Sequence, residues 1–417
     1  MTFPTSYYQL SRAVAWLRRS KSSPLDIFLD FRDPSWDWEF PETSHTFRWQ
    51  DMEAILRLII PHVKKWKRFE LLTDTWAPIF TFLYYTRKVV SAPMLESLSL
   101  FRCNAFFASK DATFAPVEMK CPIPLFGGLS LQRLREVSLT GVHVDWARSA
   151  LCSLTALELM YLASDVMPSL DEFTNMLNAC PDLRRLTLIG RGPRIDSLPS
   201  GDSSITDQLD LDMPPRTIEL SRLAKFTFGF LDTDYAPKVL SLFSFPAIEE
   251  LVLDGLAELD PMSSQNLDAT PVLRQLAGRD LSTNSGFSSP PNLPLSRLRS
   301  LKLIGIKAGP STFSRLFAGL HDLEYLGLYN TQNEALQALA PPPSNALSDT
   351  LPCATLKQLE CRDMDPEILR DLMLARAEVS PLERVLFRAD NVTCDQRRKL
   401  TDAGINVMGS SQDLCAV

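Results

Sequence analysis

The chain has 417 residues, of which 45% are hydrophobic and 22% charged, and its formal net charge is −7. This composition is typical of a folded globular protein and excludes a disordered or fibrous chain. The acidic balance lacks the basic stripe of a nucleic-acid binder, and no apolar stretch approaches the ~20 residues needed to cross a bilayer. We therefore expect neither nucleic acid nor a membrane among its partners.

The first ninety residues predict a cap made of helices and strands. Apolar residues recur at helical spacing over 7–19, and an alternating apolar pattern over 25–29 predicts a strand. A second helix over about 50–67 leads into a second strand at 68–72. Because the terminal units of repeat proteins are atypical, we assign residues 1–90 to an N-terminal capping region that is continuous with the repeats.

An aromatic run at residues 36–40 (WDWEF) follows the first predicted strand. Tryptophan and phenylalanine are enriched at protein interfaces, so the run could form an exposed recognition patch. More often, such a run forms a loop that packs over the open end of the strand. The sequence leaves both interpretations open.

A short phrase, Leu-x-x-Leu-x-Leu with an apolar residue at each Leu position, recurs ten times after residue 91. Its last two apolar positions alternate, so they share one face of a short strand, and only stacked units can bury that face. The phrase predicts an α/β fold, an irregular leucine-rich-repeat solenoid (horseshoe) over 91–395 with an N-terminal helix–strand cap. The alternative is a set of ordinary Leu-rich strands in an α/β domain. The last apolar positions of the phrases are 100, 139, 159, 188, 228, 253, 303, 328, 361 and 387.

Between the phrases, four segments with helical apolar spacing predict return helices at 170–180, 235–243, 311–320 and 366–377. Asp171, Ser311 and Asp365 are the predicted helix starts. Three segments with little apolar content predict loop insertions near 190–217, 258–295 and 340–352. Residues 396–417 are assigned to a C-terminal cap and tail.

The residue types that carry catalysis or bind metals form no pattern along the chain. The four histidines lack the i, i+4 spacing of a helical zinc site, and the eight cysteines form no Cys-x-x-Cys pair. Neither a phosphate-binding Gly-x-x-x-x-Gly-Lys loop nor a Gly-x-Ser-x-Gly nucleophile elbow occurs. We expect no enzyme activity, catalytic residue, cofactor or metal. Scattered cysteines and the lack of a recognisable export signal predict a cytoplasmic or nuclear protein.

Four stretches resemble a known protein family: 16–27 (WLRRSKSSPLDI), 61–71 (PHVKKWKRFEL), 92–100 (APMLESLSL) and 180–188 (CPDLRRLTL). They are similar to the region after the F-box in the F-box and leucine-rich-repeat proteins of mushroom-forming fungi. The similarity runs over roughly residues 10–390, and its phrases are moderately specific because single repeat phrases are common.

The resemblance implies the role of substrate receptor in an SCF-type cullin–RING ubiquitin ligase. In that family the F-box docks on the Skp adaptor and the repeats hold the protein substrate. We find no F-box phrase before residue 10, so we expect this chain to hold a protein substrate, whose identity the sequence does not reveal. A Skp adaptor is an expected partner only if an F-box is missing upstream. Two alternatives stay open: a leucine-rich-repeat scaffold without a ligase link, and a regulator of an enzyme such as a GTPase-activating solenoid.

The side chain between the last two apolar positions of each phrase points away from the core because side chains alternate along a strand. On the C-terminal strands, these positions and their outer neighbours cluster aromatic and cationic residues. Tyrosine and arginine are over-represented among binding hot spots. We therefore predict a partner-binding surface formed by Lys302, Tyr325, Tyr329, Arg362 and Arg388. There are two alternatives. The sheet face could be solvated and have no dedicated partner, or the long loops could carry recognition instead.

Overall fold

The computed structural model describes residues 7–37, 40–102, 113–195, 217–256, 268–278, 295–341, 351–388 and 393–408. The chain forms two compact units, Met1–Leu211 and Asp212–Val417, called here the first and the second unit. Each unit is a mixed α/β structure built on parallel strands. Among the described residues, no helix combines the length and the apolar character needed to cross a membrane.

The described part of the first unit contains six parallel strands that pair in chain order, and four α-helices. The strands are β1 (Leu25–Phe31), β2 (Trp66–Thr73), β3 (Ser97–Arg102), β4 (Glu136–Thr140), β5 (Ala156–Met160) and β6 (Arg185–Gly190). The helices are α1 (Tyr7–Arg19), α2 (Trp49–Ile59), α3 (Trp76–Thr86) and α4 (Leu170–Asn178).

The predicted first helix and both cap strands are confirmed, whereas the second predicted helix was too long. Helix α2 ends at Ile59, and the chain reaches β2 through a 3₁₀ turn at Ile60–Lys65. Pro61 lacks the backbone N–H that an α-helix needs at that position. Helix α3 was not predicted, because it is apolar nearly all round and lacks the amphipathic period that indicates a surface helix.

Among the described residues of the second unit, seven strands pair in parallel and in chain order, and two short strands pair separately. The seven are β8 (Lys225–Phe230), β10 (Glu250–Gly255), β11 (Ser300–Ile304), β12 (Tyr325–Tyr329), β13 (Gln358–Arg362), β14 (Arg384–Arg388) and β15 (Asn406–Met408). The short pair is β7 (Ile218–Glu219) with β9 (Phe243–Ser244).

Six helices of the second unit each contact the next along the chain. They are α5 (Tyr235–Ser241), α6 (Thr270–Ala277), α7 (Pro310–Ala318), α8 (Glu334–Gln337), α9 (Pro366–Ala377) and α10 (Cys394–Asp402). Helix α6 corrects the predicted loop at 258–295, because Val272, Leu273 and Leu276 form a buried helical face that the polar window around them concealed. Residues 258–267 and 279–294, and most of the predicted loops at 190–217 and 340–352, lie outside the described residues.

The helix starts show which side chains cap a backbone. Asp365 is confirmed, since its carboxylate accepts a hydrogen bond from the backbone N–H of Glu367 at 2.9 Å. Asp171 was wrong, because Ser169 caps α4 and exchanges hydrogen bonds with Glu172 in a capping box. Ser311 was wrong as well: α7 starts at Pro310, whose fixed φ suits the first helical position.

All ten repeat phrases coincide with strands of the two parallel ladders. The alternating apolar positions are buried, as Leu98 and Leu100 of β3 show with exposures of 1% and 0%. A residue with positive φ follows five of the strands and donates its backbone N–H to a carbonyl at the end of the next strand. These residues are Gly141, Tyr161, Gly305, Asn330 and Asp363. These hydrogen bonds join the end of each such strand to the end of the next strand, which keeps the outward side chains in register.

Candidate functional site

The structure places all five predicted partner-binding residues on one side of strands β11–β14. We call this surface the tyrosine–arginine face. Core-facing residues such as Leu326 and Leu328 are fully buried, and their neighbours point outward. The face consists of Ser300, Lys302 and Ile304 on β11, Tyr325, Gly327 and Tyr329 on β12, Gln358, Glu360 and Arg362 on β13, and Arg384, Leu386 and Arg388 on β14.

The two tyrosines of β12 are held together by a chain of hydrogen bonds. The hydroxyl of Tyr325 donates to Glu360 Oε2 at 2.9 Å and lies 3.0 Å from the hydroxyl of Tyr329. Since the single proton of Tyr325 goes to Glu360, Tyr329 must be the donor to Tyr325. Both rings are half-buried, so they are fixed before any partner arrives.

Gly327 is what allows this tyrosine pair to form. Residues four apart on one strand are about 13 Å apart along the backbone, so both side chains must lean over the position between them. A Cβ atom at Gly327 would lie 2.6 Å from Cε2 of Tyr329 and 3.3 Å from Cγ of Lys302. The missing side chain therefore provides the space in which the two hydroxyls meet.

Cationic side chains surround the pair. The ammonium of Lys302 lies 5.5 Å from the ring centre of Tyr325, within the range of a cation–π interaction. Arg388 Nε lies 3.6 Å from Glu360 Oε1, and Arg362 Nε lies 3.2 Å from the carboxylate of Asp363. Both guanidinium groups remain about half exposed and can reach a ligand.

The tyrosines are hydrogen-bond donors and not anions. Burial is the first cause that raises the pKa of Tyr325, and its hydrogen bonds to Tyr329 and Glu360 raise that pKa further. Burial also raises the pKa of Tyr329. Two neutral phenols, one carboxylate and nearby cations form an arrangement suited to binding.

The alternation rule places two further residues on this surface, but the predicted partner-binding set did not include them. Glu360 joins Tyr325 and Arg388, and Gly327 makes room for Tyr329. The strand register puts Gly327 directly beside Glu360, so an alignment of the repeat phrases could have paired them. Arg362 lies beside Tyr329 in register and pairs with Asp363 instead of joining the tyrosine chain.

The first unit has a cavity of about 780 Å³ that the aromatic run helps to line. Trp36 and Phe40 form part of its wall together with Phe47 and Trp49, while residues 38 and 39 lie outside the described part of the chain. The structure thus supports features of both interpretations, because the side chain of Phe40 is 59% exposed while Trp36 packs edge-on against His45.

An ion pair between a buried arginine and a partly exposed glutamate lies in the wall of this cavity. Arg102 has a side chain only 2% exposed and donates to the carboxylate of Glu42. The other oxygen of Glu42 accepts the backbone N–H of Trp76 at 2.9 Å, at the start of α3. Burial lowers the pKa of Arg102 and the neighbouring Glu42 opposes that shift. The pair connects β3 to the start of α3, and we assign it to stability.

Within the described ranges, no group of three or more His, Cys, Asp and Glu side chains is arranged to hold a metal ion. Comparison of the chain with protein-family models finds no matching family. A search of curated proteins finds no matching protein either. The tyrosine–arginine face and its geometry are therefore the basis for a functional proposal.

Proposed function

We propose that the chain is a leucine-rich-repeat solenoid that works as a protein-recognition module and binds its partner on the tyrosine–arginine face. The observation that carries the proposal is the ordered tyrosine pair, whose hydroxyls meet directly and which Glu360 connects to the half-exposed guanidinium of Arg388. Rigid aromatic side chains with adjacent arginines are the usual content of binding hot spots. Because the rings are already fixed by hydrogen bonds, binding costs little side-chain entropy.

Further support comes from the way the strands present this face. The register places Tyr329 between Ile304 and Arg362, with neighbouring strands ~4.8 Å apart. One ligand can therefore touch side chains of several repeats at once. Strands of the core sheet are also stiffer supports than loops, which keeps the hot-spot geometry constant between encounters.

The role that the family resemblance suggests is the substrate-binding part of an F-box-type SCF ubiquitin-ligase receptor, and we include it in the proposal. Affinity purification of the intact gene's product from its own cells would test this role. Recovery of a Skp adaptor and a cullin supports the ligase link. Recovery of other proteins without either of them favours a leucine-rich-repeat scaffold.

Recognition itself can be tested before any partner is identified. A display library of random peptides is selected on the full chain, and the enriched peptides are tested on the variants Tyr329→Ala and Arg362→Ala. We expect each variant to weaken binding by tenfold or more, which corresponds to about 1.4 kcal/mol or more. The matched control is Ser138→Ala on an outward position of β4, which should bind as the parent does. Equal losses in all variants, or loss only at Ser138, would refute the placement.

A further inference from the structure

Strand register lines up one row of outward side chains across five neighbouring strands of the second unit. The row has apolar residues at both ends, with a tyrosine and two arginines between them. At ~4.8 Å per strand its length is about 19 Å, close to six residues of an extended peptide. The row runs Ile304, Tyr329, Arg362, Arg388 and Met408.

The charge on strands β11–β14 is opposite in sign to that of the whole chain. Their outward positions hold four cations and a single carboxylate, although the chain carries a net charge of −7. The carboxylate of Glu360 already contacts Tyr325 and Arg388, and Asp363, which directly follows β13, contacts Arg362. The neighbouring strand β10 is different, because its outward residues Glu250 and Asp254 are acidic. The four cations are Lys302, Arg362, Arg384 and Arg388.

The two central arginines lie side by side. Arg362 and Arg388 are register partners on β13 and β14, and the N–H of Asp363 donates to the carbonyl of Arg388 at 3.0 Å, which fixes the two strand ends together. Like charges on adjacent strands repel each other. Asp363 and Glu360 each contact one of the two arginines, and both guanidinium groups remain about half exposed. Further carboxylates placed over the pair gain charge-assisted hydrogen bonds, for which the guanidinium fork is well suited.

We infer that this row recognises an acidic, extended peptide segment of the partner, in which neighbouring Asp or Glu side chains lie between two apolar ones. The carboxylates bind Arg362 and Arg388, one apolar side chain packs against Ile304 and the ring of Tyr329, and the other packs against Met408, which is 42% exposed. This inference rests on the proposed function and adds the chemical class of the partner segment.

The peptide selection described above distinguishes the two proposals. Enriched peptides that depend on Tyr329 and contain an apolar-acidic-acidic-apolar pattern support both. Enriched peptides that depend on Tyr329 but are neutral or basic overturn the acidic inference and leave the recognition function intact. If no peptide depends on Tyr329 or Arg362, both proposals fail.

A direct measurement uses a defined probe. The probe is a fluorescein-labelled peptide, Gly-Leu-Gly-Glu-Glu-Gly-Leu-Gly, and its controls replace both Glu residues by Gln or by Lys; binding is followed by fluorescence anisotropy. We expect the Glu peptide to bind at least tenfold more tightly than the Gln peptide at an ionic strength of about 0.01 M, and the difference to shrink near 1 M salt. The Lys peptide should not bind detectably.

Variants assign the binding to the row. Arg362→Gln and Arg388→Gln should each weaken the Glu peptide about tenfold, whereas Arg384→Gln, outside the row, should have a smaller effect. Arg185→Gln is the matched control, because it removes an exposed outward arginine of β6 in the first unit. Any of three results would overturn the inference. The Glu and Gln peptides bind equally, all four variants lose equally, or a labelled oligo-dT of similar length binds the same arginines more tightly than the Glu peptide does.

Discussion

Protonation of His143 is expected to destabilise the first unit at mildly acidic pH. The imidazole is only 2% exposed, stacks on Trp76 at 4.7 Å and meets the edge of Phe114 at 4.4 Å. Its Nε2–H donates to the carbonyl of Lys120 at 2.9 Å, while Nδ1 has no hydrogen-bond partner among the described residues. A second proton would therefore place a charged N–H in an apolar cluster without an acceptor.

The size of the effect follows from the shift of the histidine's pKa. Burial is the main cause that lowers the pKa of His143 from 6.5 to about 4, and the positive charge of Arg102 acts in the same direction. Between these two values the unfolded chain binds the proton and the folded chain does not, so stability is complete above pH 6.5 and falls as the pH falls towards 4. At 1.36 kcal/mol per pKa unit, the loss at pH 5 relative to pH 7 is about 2 kcal/mol.

Urea unfolding at pH 7 and pH 5, followed by tryptophan fluorescence, measures this loss. All seven tryptophans lie before residue 147, so the signal reports on the first unit alone. The variant His143→Phe keeps the stacked ring but cannot titrate, and it should lose most of the pH dependence. The pKa of His45 is raised, but its contribution to the pH dependence is the same in the parent and in the variant, so it cancels in the difference between them. His62→Gln, which changes a more exposed histidine, should retain the dependence.

Two results would refute this reasoning. One is an equal pH dependence in the parent protein and in His143→Phe. The other is a parent protein that becomes more stable between pH 7 and pH 5, together with a smaller gain in His143→Phe. Protonation of His143 would then stabilise the fold, which is the opposite sign of proton linkage.

Three further outcomes are expected. Glu42→Ala should lower the free energy of unfolding of the first unit by about 2 kcal/mol, because it removes the carboxylate that contacts Arg102 and accepts the backbone N–H of Trp76. A loss below about 0.5 kcal/mol in urea unfolding would show that the pair is not structural. Arg376→Met should lower the free energy of unfolding of the second unit by about 2 kcal/mol, because the Arg376 guanidinium donates to three backbone carbonyls and the residue is 1% exposed. Circular dichroism measures this loss, and an unchanged unfolding midpoint would contradict it. Alkylation of the native protein at pH 8 should modify exposed Cys121 and spare buried Cys180, because burial raises the pKa of Cys180 to about 11. Peptide mapping measures the labelling, and equal labelling of the two cysteines would contradict the prediction.

Local patterns in the sequence were sufficient for most of the elements. Ten strands were predicted because each repeat phrase combines alternation with leucine, and alternation survives any tertiary context that buries one face. Helix α9 was predicted with its bounds because Asp365 and the apolar spacing after it agree. Helix α3 was missed because nearly all of its faces are apolar, so its helical period does not show in the sequence.

For the candidate site, the sequence determined which side chains leave the core, and thereby the cluster of tyrosines and arginines on neighbouring strands. Only the tertiary structure decided how they meet. Tyr325 and Tyr329 face each other because Gly327 leaves a gap, and they are oriented by Glu360, which comes from another repeat 31 residues beyond Tyr329. The physical reason is that alternation is a property of a single strand, whereas hydrogen-bond chains and ion pairs depend on the register between strands that are distant in the sequence.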